Sequence, residues 1–315
     1  MGKMAFIYPG QGAQHIGMGK DAAESFTPAA DIFKAADAAL GFDLSGLVFG
    51  GDEEALKITE NTQPALLATC MALSAALTGA GLWPDAAAGL SIGEYAAHVL
   101  SGTFAFADAI KIVRLRGRFM QEAVPLGLGG MAAVLGLDAG AVEACCAEAP
   151  ARAGDASLVV EPANYNCLGQ IVISGHVKAV EAACALCKEQ GARRAVPLAV
   201  SAPFHCSLLR GAGEKLAAEL AGIPLNPMKI PVVSNVTAEY TIDSTEAVGL
   251  LVRQVASPVR WEQSVREMIA QGVDRFVEIG PGKTLAGFIT RIDAGVEVIN
   301  VSDAATVENA IGRLA

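Results

Sequence analysis

The segment Gly89-Leu90-Ser91-Ile92-Gly93 sets a serine between glycines two positions away on either side. A short apolar run, Ala86–Leu90, precedes the serine and helix-favouring residues follow at once, which predicts strand, tight turn, helix. In such a nucleophile elbow the small flanking residues let the backbone turn sharply enough to push the hydroxyl clear of the sheet. The serine then stands at a helix N-terminus, whose free N–H groups and positive dipole end favour negative charge developing nearby. The chemistry this suits is nucleophilic attack in acyl transfer. The same spacing also arises in ordinary turns of a chain with 34 glycines, so the motif alone leaves both readings open.

A serine hydroxyl needs a base, and the chain offers four histidines: His15, His98, His176 and His205. His98 shares the serine's helix but stands about 10 Å further along the axis, too far to reach the hydroxyl. His15 falls in the loop after the first strand, and His176 follows the strand predicted at Gln170–Ser174. His205, in Ser201-Ala-Pro-Phe-His205, lies where an inserted segment returns to the main sheet, and a cleft forms at such a hinge. Spacing therefore favours His205. Arg114, Arg116 and Arg118 lie on a helix predicted over 107–123. At about 100° per residue, Arg114 and Arg118 share one face while Arg116 is about 200° from Arg114. Arg116 either turns inward or flanks a core stripe in solvent.

The elements that must position these groups follow from apolar periodicity. Met4–Tyr8 reads as a buried strand ending in the glycine-rich loop Pro9-Gly10-Gln11-Gly12, which lacks both dinucleotide and P-loop spacing and could instead offer backbone N–H groups to an oxyanion. Helices are predicted over 29–40 and 62–80 before the elbow. From about Gly127 the texture changes to strand 131–135, helix 139–149, strands 158–163 and 170–174, helix 177–190 and strand 192–198. This β-α-β-β-α-β order is the signature of a ferredoxin-like insert. Strands at 230–234 and 275–278 and helices at 205–221, 245–255, 261–271 and 303–313 resume the α/β texture. The expected architecture is α/β, a parallel sheet flanked by helices, formed by residues 1–126 and 199–315 and interrupted by an α+β subdomain at 127–198.

Composition narrows the class. The chain has 315 residues, 52% hydrophobic and 18% charged, enough for a large core without staples. A net charge of −10 argues against nucleic acid as the main partner, since phosphate binding needs a basic surface. The cysteines at 70, 145, 146, 167, 184, 187 and 206 form no paired CxxC spacing and read as reduced thiols of a cytoplasmic protein, with no metal site. The N-terminal apolar run is too short for a signal peptide, and Pro9-Gly10 ends it. The uncharged stretch Asn61–Pro84 is rich in Ala, Thr, Ser and Gly and reads as a buried helix rather than a membrane span.

Taken in order, Pro9-Gly-Gln-Gly12, Gly89-x-Ser91-x-Gly-Glu94, Arg116-Gly-x-x-Met120, Asn166-x-x-Gly-Gln170-x-Val-x-Ser-Gly175, Ser201-x-Pro-Phe-His205, Gln254-x-x-x-Pro-Val-x-Trp261 and Glu278-Ile-Gly-Pro-Gly282 resemble the malonyl-CoA:acyl-carrier-protein transacylase family of type II fatty acid synthesis. The resemblance spans nearly the whole chain. It implies a hydrolase-like α/β domain with a ferredoxin-like subdomain, a malonyl-serine intermediate and ping-pong transfer. It makes Ser91 the nucleophile and His205 the general base, oriented by main-chain oxygen near Gln254 instead of by a triad acid. Gln11 and Ile92 become the oxyanion-hole N–H donors and Arg116 the partner of the malonyl carboxylate, while Asn166 and Phe204 join the substrate-binding set. Ile92 and Phe204 resemble malonyl-preferring relatives.

The same resemblance implies malonyl-CoA and acyl carrier protein as partners, no cofactor and a monomer. Carrier proteins of this pathway are acidic, so a local basic patch from Lys188, Arg193, Arg194 or Lys283 is expected near the cleft. Two positions depart from the family pattern: Leu90 where His is frequent, and Leu168 where Pro is frequent. A serine hydrolase and a non-catalytic carrier-binding subunit are the alternatives. The first has no need of a carboxylate-binding arginine.

Overall fold

The computed structural model describes residues 2–200 and 202–314. Ser201, which opens the motif leading to His205, and the terminal residues 1 and 315 lie outside the described residues. In chain order the strands are β1 (Lys3–Tyr8), β2 (Ala86–Gly89), β3 (Gly129–Leu135), β4 (Val160–Cys167), β5 (Gln170–His176), β6 (Arg194–Pro197), β7 (Val232–Val233), β8 (Tyr240–Thr241), β9 (Val273–Ile279) and β10 (Glu297–Val301). They form two sheets. The larger runs β10-β9-β1-β2-β7-β8, parallel throughout except for the antiparallel edge pair β7 and β8.

Strands covered by helices on both faces read as continuous apolar runs, and β1 and β2 do so. Phe6 and Tyr8 pack with the helix Thr59–Gly79 on one side, while Ala5 and Ile7 pack with Trp261, Phe276 and Ile289 on the other. Along β2 the inward side chains are only Ala86, Ala87 and Ala88, so the helix Ile92–Ser101 lies close to the sheet. Two glycines make that approach possible. A Cβ on Gly89 would stand 2.0 Å from the Gly93 carbonyl carbon, and one on Gly93 would stand 2.3 Å from the Tyr8 carbonyl oxygen.

The smaller sheet, β4-β5-β3-β6, is antiparallel and lies entirely within residues 129–197. Its helices, Ala139–Arg152 and Val177–Glu189, pack together over a separate core that includes Val134, Val142, Ile173 and Val180. The β-α-β-β-α-β order anticipated from the sequence is present. The uncharged 61–84 stretch forms most of the buried helix Thr59–Gly79, and no described helix is long and apolar enough to cross a membrane.

Several short elements carry no period long enough to be read in advance: the helices Lys20–Ser25, Leu44–Gly50 and Glu53–Lys57, and strand β8. The helix Thr284–Ile292 and strand β10 were likewise not anticipated. The strand expected over 230–234 shortens to Val232–Val233, and the helix expected from 205 begins at Arg210, leaving His205 in a turn at φ 61°.

Replacing Gly93 by Ala forces a methyl group against the β1 backbone. The expected loss is about 1–3 kcal/mol of stability, read as a lower urea midpoint. An unchanged midpoint would show that the helix can lift away without cost.

Candidate active site

Ser91 leaves β2 at φ 56° and ψ −108°, an unusual conformation for a residue with a side chain, and the helix Ile92–Ser101 begins immediately after it. The Ser91 hydroxyl lies 2.7 Å from His205 Nε2. His205 Nδ1 is 2.9 Å from the main-chain oxygen of Gln254. A carbonyl oxygen only accepts, so Nδ1 carries the hydrogen and the Nε2 lone pair faces Ser91. Arg116 Nη2 donates to the same Ser91 oxygen at 3.1 Å, which leaves the hydroxyl hydrogen directed at His205. Among the described residues no carboxylate stands behind the imidazole; the Gln254 carbonyl takes that place.

The arginine helix, Phe106–Glu122, resolves the choice left by the periodicity. Arg114 pairs with Glu60 at 3.1 Å and lies over the Phe42 ring, Arg118 is exposed, and Arg116 is turned inward with 1% exposure. Arg116 Nη1 donates to Gln63 Oε1 at 2.8 Å, Nη2 donates to Gln254 Oε1 at 2.9 Å, and the guanidinium stacks 5.4 Å from the Tyr95 ring centre. Its acceptors are neutral amide and hydroxyl oxygens.

These groups sit in a cavity of about 590 Å³ between the two sheets. Ser91, Arg116, His205, Gln11, Asn166 and Phe204 all line it. Gln254 is fully buried behind His205, and Ile92 is the first residue of its helix, so its N–H has no acceptor within that helix. The other histidines stand apart: His98 is buried against Thr103, His15 bonds to the Ile16 carbonyl, and His176 accepts from Val159 N–H. Leu90 lines the cavity, whereas Leu168 is 62% exposed in the turn between β4 and β5.

Sequence reasoning missed Gln63 and Asn235. Gln63 is a long polar residue inside an uncharged helix stretch, a signal that could have marked it. Asn235 follows β7 and accepts the Ser91 N–H at 2.7 Å. Glu94 was within a quoted motif without a role; it accepts from Gln254 Nε2 at 2.6 Å. All seven cysteines are buried free thiols, and no group of metal-binding residues occurs among the described residues.

Burial pushes the His205 imidazole down to about 4, the nearby Arg116 charge acts in the same direction, and the Gln254 carbonyl opposes both. Burial also lowers Arg116 from its ordinary value, against the pull of Tyr95 and Glu94. The expected result is an imidazole that stays neutral well below pH 6.5 and charges near pH 4, followed by its ring NMR shifts. The unfolded chain takes up that proton at its ordinary value while the folded one refuses it, so this group's contribution to stability falls as pH drops from about 6.5 toward about 4. Titration near 6.5 in the folded chain would contradict this.

Residues 5–311 match the family model described as acyl transferase domain. The malonyl CoA-acyl carrier protein transacylase of Bacillus subtilis (strain 168) is 46% identical over 314 residues, 100% of this chain and 98% of that protein. An acyl carrier protein S-malonyltransferase crystal structure from Vibrio cholerae has a TM-score of 0.94 at 44% identity, over 98% of this chain and 99% of that one. A malonyl-transacylase solved in complex with its type II PKS acyl-carrier protein has a TM-score of 0.95 at 41% identity, over 99% of each chain. With five of the seven motifs contributing to one cavity and the whole chain matched by a relative at 46% identity, the chain belongs to the acyl transferase family.

Proposed function

We propose that this chain transfers a malonyl group from malonyl-CoA to the phosphopantetheine thiol of acyl carrier protein through a malonyl ester on Ser91, supplying fatty acid synthesis. The observation that carries this reading is Arg116: a buried guanidinium 3.1 Å from the serine oxygen whose acceptors are all neutral. Such a cation favours an acyl group that brings its own negative charge. Malonyl does so, with a carboxylate two bonds beyond the reacting carbonyl. Arginine suits the task because its planar fork holds a carboxylate through two hydrogen bonds and keeps its charge.

His205 Nε2 takes the Ser91 proton as Oγ bonds to the thioester carbonyl carbon. Main-chain N–H groups of Gln11 and Ile92 receive the oxyanion; losing one such donor costs about 3–4 kcal/mol of barrier in comparable sites. The C–S bond then breaks, and the coenzyme A sulfur leaves with the proton from His205. In the second half, the carrier thiol gives its proton to His205, sulfur attacks the ester carbonyl, and Ser91 regains its proton as the C–O bond breaks. Gln254 orients the imidazole through its carbonyl, and Asn166 and Phe204 shape the acyl site. Apolar walls from Met131, Val172 and Val200 support exclusion of water, which would otherwise hydrolyse the ester.

The reading includes a division of the chain into a catalytic domain, residues 1–126 and 199–315, and a ferredoxin-like subdomain, 127–198. The confinement of the smaller sheet and its helices to that second range supports it. It also includes a cytoplasmic monomer. Seven unpaired buried thiols support a reducing compartment, and one chain by itself supplies every residue of the site. The carrier protein docks on a local basic patch. Lys283 adjoins the cavity residue Thr284, and Lys188 lines a neighbouring groove that shares Met131, Leu198 and Val200 with the cavity.

Intact mass after mixing with malonyl-CoA should show one malonyl adduct on the native chain and none on Ser91→Ala. Arg116→Ala should lower kcat/KM for malonyl-CoA by about 2–5 kcal/mol, roughly thirtyfold or more, and raise acetyl transfer relative to malonyl. Malonyl transfer that survives Arg116→Ala with no relative gain in acetyl transfer would refute the carboxylate clamp. Charge reversal at Lys188 and Lys283 should raise KM for the carrier protein while leaving adduct formation from malonyl-CoA unchanged. An unaltered KM would move the docking surface elsewhere.

A further inference from the structure

Both peptide groups of the nucleophile residue are held by side chains from distant parts of the chain. Asn235 Oδ1 accepts the Ser91 N–H at 2.7 Å while its Nδ2 donates to the Gly89 carbonyl at 2.7 Å, so one side chain clasps the backbone on both sides of Leu90. Gln254 Nε2 donates to the Ser91 carbonyl at 3.0 Å. The two holders converge on one carboxylate: Glu94 Oε2 accepts from Gln254 Nε2 at 2.6 Å and from the Asn235 N–H at 3.1 Å. Glu94, Asn235 and Gln254 are all fully buried. Glu94 Oε1, with no hydrogen-bond partner among the described residues, faces His98 Nε2 at 3.9 Å, and His98 is itself tied to Thr103.

A carboxylate only accepts hydrogen bonds. Glu94 therefore obliges the Gln254 amide to turn its NH2 group inward, which leaves Gln254 Oε1 for Arg116 at 2.9 Å. A reversed amide would set NH2 against the guanidinium. Asn235, for its part, holds a serine at φ 56° that has no glycine-like freedom to stay there unaided. We infer that Glu94 and Asn235 are positioning residues for the acyl transfer: Asn235 sets where the Ser91 hydroxyl stands, and Glu94 sets the amide orientation that fixes Arg116. Neither lines the cavity. The inference rests on the reading of Ser91 as the malonyl-accepting nucleophile.

The test is single-turnover acylation by malonyl-CoA and by acetyl-CoA, followed by intact mass and normalised to the fraction of protein that can be acylated, with urea midpoints in parallel. Asn235→Ala should acylate about 100-fold more slowly with little change in KM, the size expected when a reacting atom is displaced by about 1 Å. Glu94→Gln keeps the side-chain volume but lets the facing amide reverse, so it should both slow acylation and narrow the malonyl-over-acetyl preference. The double variant should lose less than the product of the two single losses, because both act on one network. If both variants acylate within about twofold of the native rate while only the midpoint falls, the residues are structural and the inference fails. If Asn235→Ala does not fold, the volume-conserving Glu94→Gln decides the matter by its preference between the two acyl groups. A native chain that forms no malonyl adduct would overturn the functional reading itself, and the inference with it.

Discussion

Holding Ser91 at φ 56° costs a residue with a side chain about 1–3 kcal/mol, and much of the architecture around the elbow exists to offset that cost. The turn needs Gly89 and Gly93 because side chains there would strike the helix and β1 backbones. It needs the small residues of β2, three alanines and a glycine, which let the Ile92–Ser101 helix sit close. The peptide groups flanking the serine are then satisfied from outside the turn, by Asn235 after β7 and by Gln254 at the end of the helix Ser244–Gln254. Tight packing and directed hydrogen bonds together over-determine a conformation that local preference opposes.

Burial acts on the two ionisable groups of the site in the same sense and with opposite consequences. It disfavours charge on both His205 and Arg116. An imidazole starts near neutrality on the pH scale, so His205 becomes a neutral acceptor; a guanidinium starts so high that it stays a cation. The Arg116 charge reinforces the neutrality of His205. One apolar environment thus yields a free base and a permanent positive charge, both within hydrogen-bond reach of a single hydroxyl. A carboxylate behind the imidazole would partly undo this by favouring the imidazolium. The Gln254 carbonyl orients the ring while contributing only a dipole.

The cavity draws its walls from both sheets. The larger provides Ser91 and the Pro9–Gln14 loop, the smaller provides Met131, Asn164, Asn166 and Val172, and the return segment provides Phe204 and His205. Asn164 also bridges to Val259, tying β4 to the segment that follows Gln254. The base and the nucleophile come from segments far apart in sequence. Their 2.7 Å separation therefore depends on how the chain returns from the smaller sheet.

Much of this was legible in the residues themselves. Gly89-x-Ser91-x-Gly93 points to its own turn, because small residues at that spacing let the backbone reverse sharply between strand and helix. The helical period separates Arg116 from Arg114 and Arg118, and the change of texture after Gly127 marks the smaller sheet. These features are local, carried by backbone sterics and periodicity that operate over a few residues. The sequence could not say which face of the arginine helix turned inward, since a period gives relative angle and not direction. Nor could it find Gln63, Asn235 or the role of Glu94. Their importance is a matter of partners that folding brings from 53, 144 and 160 positions away. Side-chain chemistry and local turns were written in the order of residues; orientation, protonation and the closing of the hydrogen-bond network came from burial and convergence, which exist only once distant segments pack.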